Sequence, residues 1–107
     1  MMLRSREMLD VLTKQPKLLI AEGGELMIEG SEVWKNTAFQ MSGVLKSNII
    51  NLTFLYWNLN YGLPDVSSCP NLKEVDIWMD DEPFSHDQIS EWIKSFPEQV
   101  ILEIRIR

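Results

Sequence analysis

The last third of the chain, from Leu72 onward, changes between the periodicity of a strand and that of a helix. Leu72, Val75 and Ile77 have the spacing of a short strand whose alternate side chains pack against a layer. The closing segment, 100–107, alternates two sets of side chains, which predicts a second strand with one buried face. A strand, a helix and a strand joined at this distance form a right-handed crossover between parallel strands. The sequence therefore predicts an α/β protein.

A helix is predicted between these two strands. It begins at a capping box, in which Ser85 and Gln88 each satisfy a free backbone donor at the helix start. Pro97 ends it, because proline disfavours helical geometry in the residue before it. One face is apolar and the remainder is polar. The apolar face comprises Ile89, Trp92, Ile93 and Phe96, and the polar side comprises His86, Asp87, Glu91 and Lys94.

The same strand spacing occurs in two other places. The units are Ile49, Leu52 and Phe54; Leu72, Val75 and Ile77; and Ile101, Ile104 and Ile106. Their separations are about those of leucine-rich repeats, whose units run roughly 20 to 29 residues.

The unit around Leu72 resembles the cysteine-containing leucine-rich repeat, whose units carry a Cys-Pro-x-Leu-x-x-Leu-x-Leu signature. The matching residues are Cys69, Pro70, Leu72, Val75 and Ile77. The resemblance covers about the last half of the chain, and it departs from the family at Trp57 and Asp80, where the family keeps Asn or Cys. It implies a short, solenoid-like layer of parallel strands. The alternative is an ordinary α/β sheet whose strands have this spacing by chance.

The N-terminal half is predicted to begin with a helix and a β-hairpin. The helix covers 1–15 and is closed by Pro16. Gly23 and Gly24 separate two apolar runs, 17–22 and 25–29, and tight hairpin turns need the positive φ that glycine adopts freely. A phosphate-binding loop is not indicated, because no lysine and hydroxyl pair follows at the required spacing.

The middle of the chain is predicted to supply the centre of the sheet. Segment 31–45 is ambiguous, although Val33, Phe39, Met41 and Val44 fit a further strand. Segment 48–59 is rich in β-branched and aromatic residues and is predicted to be a central strand. With 107 residues and no linker or low-complexity segment, the whole of 1–107 is predicted to be a single domain with one core.

Composition and charge restrict the classes of function that are expected for this protein. An apolar fraction of 45% indicates a globular protein, and one cysteine cannot make an internal disulfide. Without an apolar signal or membrane-spanning run, a cytoplasmic location is expected. The net charge is −6, and residues 54–107 hold ten acidic against four basic residues, whereas residues 1–53 hold six of each. This excess of acidic residues argues against binding to nucleic acid, whose phosphates would be repelled, and favours a basic partner protein. The alternative is that the charge only keeps the protein soluble.

The candidates for catalysis are poor, so a non-enzymatic protein without a cofactor is predicted. His86 lies in the first turn of the predicted helix, and no second histidine exists to activate Cys69. Cys69 is therefore interpreted as structural. The acidic residues from 76 to 87 offer oxygen ligands, but they lack the order of a calcium-binding loop.

A binding surface is the remaining possibility. Strict alternation places Ile77 inward and Trp78 outward, beside acidic residues. The predicted aromatic anchors are Trp57, Tyr61 and Trp78, and the predicted charged contacts are Asp76, Asp80, Asp81, Glu82 and Asp87. Burial in the core is the alternative for each aromatic residue.

In size, charge and overall form the chain resembles the small immunity proteins of bacterial toxin systems, including those of contact-dependent growth inhibition. That resemblance implies tight binding to a cognate toxin domain, often a basic nuclease, whose active site is blocked. An acidic partner can occupy a site that a nuclease provides for phosphates. The alternative is an adaptor of the leucine-rich type that uses the same surface. The oligomeric state is left open.

Overall fold

The five strands of the fold form one all-parallel sheet in which the spatial order equals the order in the sequence. The computed structural model describes residues 1–34, 41–58, 61, 68–79, 86–94 and 96–106. The strands are β1 (Met2–Leu3), β2 (Glu25–Glu29), β3 (Asn51–Trp57), β4 (Glu74–Met79) and β5 (Ile101–Ile106). The predicted α/β class with parallel strands is confirmed, and β3 is the central strand that the sequence indicated.

Helices occupy the connections between strands. They are α1 (Arg6–Lys14), α2 (Lys17–Ala21), a 3-10 turn (Glu32–Trp34), α3 (Gly43–Ser47) and α4 (His86–Lys94). Ser5 caps α1 by accepting a hydrogen bond from the Met8 N–H at 3.2 Å, and Ser42 caps α3 by accepting one from Leu45. The predicted helix before Pro97 is confirmed as α4, although Ser85 lies outside the described residues. No described helix has the length and apolarity needed to cross a membrane.

The strands repeat at a nearly constant interval along the chain. Met2 lies opposite Met27, Met27 opposite Thr53, Thr53 opposite Asp76, and Asp76 opposite Glu103. The steps are therefore 25, 26, 23 and 27 residues, within the range of leucine-rich units. Residues about 25 positions apart in the sequence consequently become neighbours across the sheet.

One hydrophobic core lies on one face of the sheet. Inward-facing strand residues meet side chains from the connections, so the described connections cover that face and leave the opposite face open. The core comprises Leu3, Leu12, Leu19, Leu26, Ile28, Trp34, Met41, Leu45, Ile49, Leu52, Phe54, Trp57, Cys69, Leu72, Val75, Ile77, Met79 and Phe96. Burial of Cys69 agrees with its interpretation as a structural cysteine.

The predicted β-hairpin around Gly23 and Gly24 is wrong. The segment before the glycines is α2, and β2 pairs in parallel with β1 and β3 instead of folding back. Both glycines do have positive φ, 71° and 75°. They end α2 in a Schellman motif, because the Gly24 N–H donates to the Leu19 carbonyl at 3.0 Å and the Gly23 N–H donates to the Ile20 carbonyl. A helix C-terminus and a hairpin demand the same backbone geometry, which explains the error.

Three other boundaries differ from the sequence-based expectation. The first residues form β1, and α1 begins only at Arg6. Between 31 and 45 the described residues form a 3-10 turn and α3, with Val33 and Val44 exposed, while Phe39 lies outside them. Ile101 is not a core position: it is 66% exposed and lies opposite Glu74, whereas the next residue, Leu102, lies opposite buried Val75. The third repeat unit is therefore two residues out of register in the prediction, because Val75 pairs with Leu102 and not with Ile104.

A bulge in β3 decides which aromatic side chains reach the core. Phe54 lies opposite Ile77 and Trp57 opposite Met79, so β3 takes three steps where β4 takes two. Tyr56 has a φ of 53°, which is uncommon for a residue with a side chain. The extra residue reverses the alternation, so that Tyr56 is 46% exposed and Trp57 is fully buried.

Candidate protein-interaction surface

The uncovered face of the sheet is a regular surface formed by four neighbouring strands. We call it the open face, and it consists of the outward-pointing residues of β2 to β5. They are Glu25, Met27, Glu29, Asn51, Thr53, Leu55, Glu74, Asp76, Trp78, Ile101, Glu103 and Arg105. Each is exposed or half-buried, whereas the inward neighbours on β2 to β4 are buried.

Parallel register arranges these side chains in rows across the strands. The row at the amino ends is Glu25, Asn51, Glu74 and Ile101, and the next row is Met27, Thr53, Asp76 and Glu103. Neighbouring strands lie about 4.8 Å apart, so members of one row are within reach of one ligand. At the carboxyl ends Glu29 lies opposite Leu55, and Trp78 lies opposite Arg105.

Ion pairing divides the open face into two zones. Arg4 Nε lies 3.2 Å from Glu29, and an Arg105 nitrogen lies 2.8 Å from Glu103 Oε1. The remaining carboxylates of the face, on Glu25, Glu74 and Asp76, have no ion pair among the described residues. We call these three residues the acidic strip. They give the amino ends of β2 and β4 a negative character on this face.

The carboxyl-terminal half of the face is aromatic. The Arg105 guanidinium carbon lies 4.5 Å from the Trp78 ring centre, and the Arg105 Nε donates to Glu103 Oε1 at 3.0 Å. A contact of this kind contributes about 0.5–1 kcal/mol at exposed sites, so it favours one orientation of the half-buried Trp78 ring. Half-buried Leu55 adds apolar area on the preceding strand, and half-buried Met27 adds more in the row of Asp76. The zone combines an aromatic group with a polar rim, which is the anatomy of a protein interface.

Two of the predicted contact residues lie together on this face. Asp76 and Trp78 point outward from β4, as alternation predicted, and Ile77 between them is fully buried. Asp87 is exposed, but it belongs to the first turn of α4 and not to the sheet. Asp80, Asp81 and Glu82 lie outside the described residues.

The predicted anchoring role of Trp57 is wrong. Its side chain is fully buried, and its ring packs edge-on against Phe54 with centroids 5.2 Å apart. The bulge at Tyr56 is the physical cause, because one added residue turns the following side chain to the other face. Tyr61 is half-buried, with its ring 5.8 Å from Trp57. Its packing against the core makes it a support for Trp57 more than a separate contact point.

Several residues of the surface were not singled out from the sequence. They are Glu25, Glu74, Glu103, Arg105, Met27 and Leu55. Glu25 and Glu74 are far apart in the chain and share a row only through the strand register. The repeat interval carries the signal that would have found them, since aligning the units places their outward positions in columns.

Cavities and possible metal ligands away from the open face were also considered as sites of chemistry. A cavity of about 330 Å³ beside α1 is lined mainly by apolar side chains, including Met8, Val11 and Leu18. A second, of about 270 Å³, lies by Gly24, Asn48 and Asn71. The amide nitrogens there are engaged, because Asn48 donates to Val44 O at 2.9 Å and Asn71 to Ser47 O at 2.7 Å. Within the described part of the chain no three metal-ligating side chains come together.

Comparison of the chain with protein-family models, with curated proteins and with solved structures found no match.

Proposed function

We propose that this protein binds a basic partner protein through the open face of its sheet, and that the partner is a toxin domain which it neutralises. The observation that carries the proposal is the acidic strip, whose three carboxylates are outward-facing and without ion pairs among the described residues. A nuclease domain fits best, because it must present Lys and Arg to hold phosphates. Carboxylates placed over those cations exclude the nucleic acid.

The acidic strip is suited to receive cationic side chains. Glu25 and Glu74 lie two strands apart in one row, with the neutral Asn51 between them, which separates their backbones by roughly 10 Å. Asp76 projects from the next row of the same strand as Glu74. Three negative groups held on a rigid sheet repel one another, and an incoming Lys or Arg relieves that repulsion. Opposite charge also steers the encounter, which favours capture before damage occurs.

Trp78 supplies the anchor beside the strip. Its ring already contacts Arg105 and is half-buried, so part of its side-chain entropy is lost before a partner covers it. Covering the ring also removes water from the Glu103 and Arg105 ion pair, which lies 2.8 Å apart. Aromatic residues in this position often contribute most of the binding free energy.

A second candidate function is that of an interaction adaptor. The favouring observation is the sequential parallel sheet, which steps by 25, 26, 23 and 27 residues as solenoid proteins do. Solenoids use extended regular surfaces for binding. An adaptor would bind without abolishing an activity of the partner, whereas the immunity function requires neutralisation at a stoichiometry of one to one.

The proposal is tested by identifying the partner and then removing the charge of the strip. The tagged protein is purified from its source cells at low and moderate salt, and the retained protein is identified by mass spectrometry. Binding of the purified partner is then measured for the triple variant Glu25→Gln, Glu74→Gln, Asp76→Asn. Three partly exposed ion pairs contribute about 2 kcal/mol together, so we expect roughly 30-fold weaker binding at low salt. The deficit should shrink as salt screens the charges.

A matched control has the same change of charge away from the sheet. It carries Glu7→Gln, Asp10→Asn and Glu91→Gln, three exposed positions on α1 and α4. We expect this control to bind the partner within about twofold of the wild type. Equal losses in both variants would mean that only net charge matters, and would refute the assignment of the open face. A partner whose activity persists in the complex would favour the adaptor.

A further inference from the structure

The edge strand β5 leaves one line of backbone groups unpaired among the described residues. The Ile101 N–H donates to the Lys73 carbonyl at 2.9 Å, so residues 101, 103 and 105 direct their backbone groups toward β4. The backbone groups of residues 102, 104 and 106 must then point away from the sheet. An exposed row of this kind is a template for a further strand.

The core is also incomplete at this edge. Val75 and Ile77 of β4 are 1% and 0% exposed, whereas Leu102 and Ile104, their neighbours on β5, are only partly buried. The opposite end of the sheet differs, because Leu3 of β1 is fully buried. The outward backbone groups of β5 therefore have no strand partner among the described residues, and its core-facing side chains are less completely covered than those of β4.

We propose that β5 pairs antiparallel with β5 of a second copy of this chain, about a two-fold axis at Ile104. In this register Ile104 lies opposite Ile104 of the second copy, and Leu102 lies opposite residue 106. These are the positions whose N–H and C=O groups point outward, so they form the hydrogen-bonded pairs of an antiparallel ladder. The same pairing brings the two Ile104 side chains together on the core face.

The charges of β5 select this register. Glu103 comes to lie opposite Arg105 of the second copy, and Arg105 opposite its Glu103, in the closely spaced pairs of the ladder. Each Glu103 already has Arg105 of its own strand at 2.8 Å, so four charges alternate in sign around the axis. An axis at Leu102 would place Glu103 opposite Ile101, and one at residue 106 would place Arg105 opposite another arginine. Opposite charges face each other only with the axis at Ile104.

The dimer leaves the open face uncovered. A two-fold axis perpendicular to the sheet turns both open faces to the same side, so a ten-stranded surface with two acidic strips results. The dimer does not use the acidic strip, which lies on β2 and β4, but it shares Glu103 and Arg105 with the proposed binding surface. Self-association is measured without the partner protein, so the dimer and the proposed function are tested separately.

Sedimentation equilibrium tests the dimer with reversed charges. The wild type should approach twice the chain mass of 12.5 kDa as concentration rises. Glu103→Arg and Arg105→Glu should each raise the dissociation constant about 30-fold, because two attractive contacts become two repulsive ones. An equimolar mixture of the two variants should form a one-to-one dimer, since every facing pair is then opposite in charge. That rescue also shows that both variants fold.

The control reverses one charge at the far end of the molecule. Glu7→Arg on α1, which follows the opposite edge strand, should dimerise like the wild type. A wild type that stays monomeric up to about 1 mM would overturn the proposal. So would a dimer that is insensitive to both reversals, or a mixture of the two variants that fails to associate.

Discussion

Replacing Gly30 with Ala tests the bulge that organises the centre of the sheet. Gly30 donates its N–H to the Leu55 carbonyl at 2.7 Å, directly before Tyr56. A β-carbon at position 30 would clash with the carbonyl oxygen of Tyr56. It would also lie 2.9 Å from the carbonyl carbon of Tyr56 and 3.1 Å from the carbonyl oxygen of Leu55. All three atoms are backbone, so no side chain can rotate away. The strands must separate to admit a methyl group.

The cost follows from that displacement. Crowding of this kind in a packed region costs about 1–3 kcal/mol, and weakening the bond to Leu55 adds about 1 kcal/mol. Replacing glycine also lowers the conformational entropy of the unfolded chain, which stabilises the folded protein by about 0.4–1 kcal/mol. We therefore expect a net destabilisation of about 2–3 kcal/mol, which lowers the melting temperature by roughly 10–20 °C in a domain of this size.

Gly43 provides the matched control, and both variants are measured by thermal and urea unfolding. Gly43 is the first residue of α3, and a β-carbon there would meet nothing within 4 Å. Gly43→Ala should stabilise by about 0.5 kcal/mol through helix propensity. Equal stability of the two variants would refute the close approach of Gly30 to Tyr56. The bulge, and with it the inward position of Trp57, would then be misplaced.

Two further predictions separate buried from exposed groups. Trp57→Ala should lower the free energy of unfolding in urea by about 3–5 kcal/mol because it leaves a cavity in the core. Trp78→Ala should lower it by under about 1 kcal/mol and weaken partner binding instead. Similar stability losses would contradict the assignment of the two residues to opposite faces. The thiol of Cys69, 1% exposed, should react with a thiol reagent only as fast as the protein opens, and at once in denaturant, so immediate labelling of the native protein would contradict its burial.

Local patterns predicted the elements of the C-terminal half well. Alternation located β4 and β5, and the helical spacing before Pro97 located α4. These patterns depend on neighbours within a few residues, so they can be read along the chain. Local patterns assigned the segment around Gly23 and Gly24 wrongly, because a positive φ at Gly23 suits a helix C-terminus as well as a hairpin turn.

The candidate site was predictable only in part. Asp76 and Trp78 were found because they alternate with the buried Ile77 on one strand. Glu25 and Arg105 were missed because their relation to that strand is set by register, which local spacing does not contain. Glu74 lies on β4 two residues before Asp76, so the same alternation would have found it.

Local sequence patterns indicated the α/β class, the parallel direction of β4 and β5, the acidic character and the outward position of Trp78. The sequential strand order, the parallel pairing of β2, the burial of Trp57 and the gathering of the acidic strip became evident only from the folded chain. The physical reason is the range of the interactions. Periodicity is fixed by adjacent residues, whereas a one-residue bulge, and contacts between residues about 25 positions apart, exist only once neighbouring strands have paired.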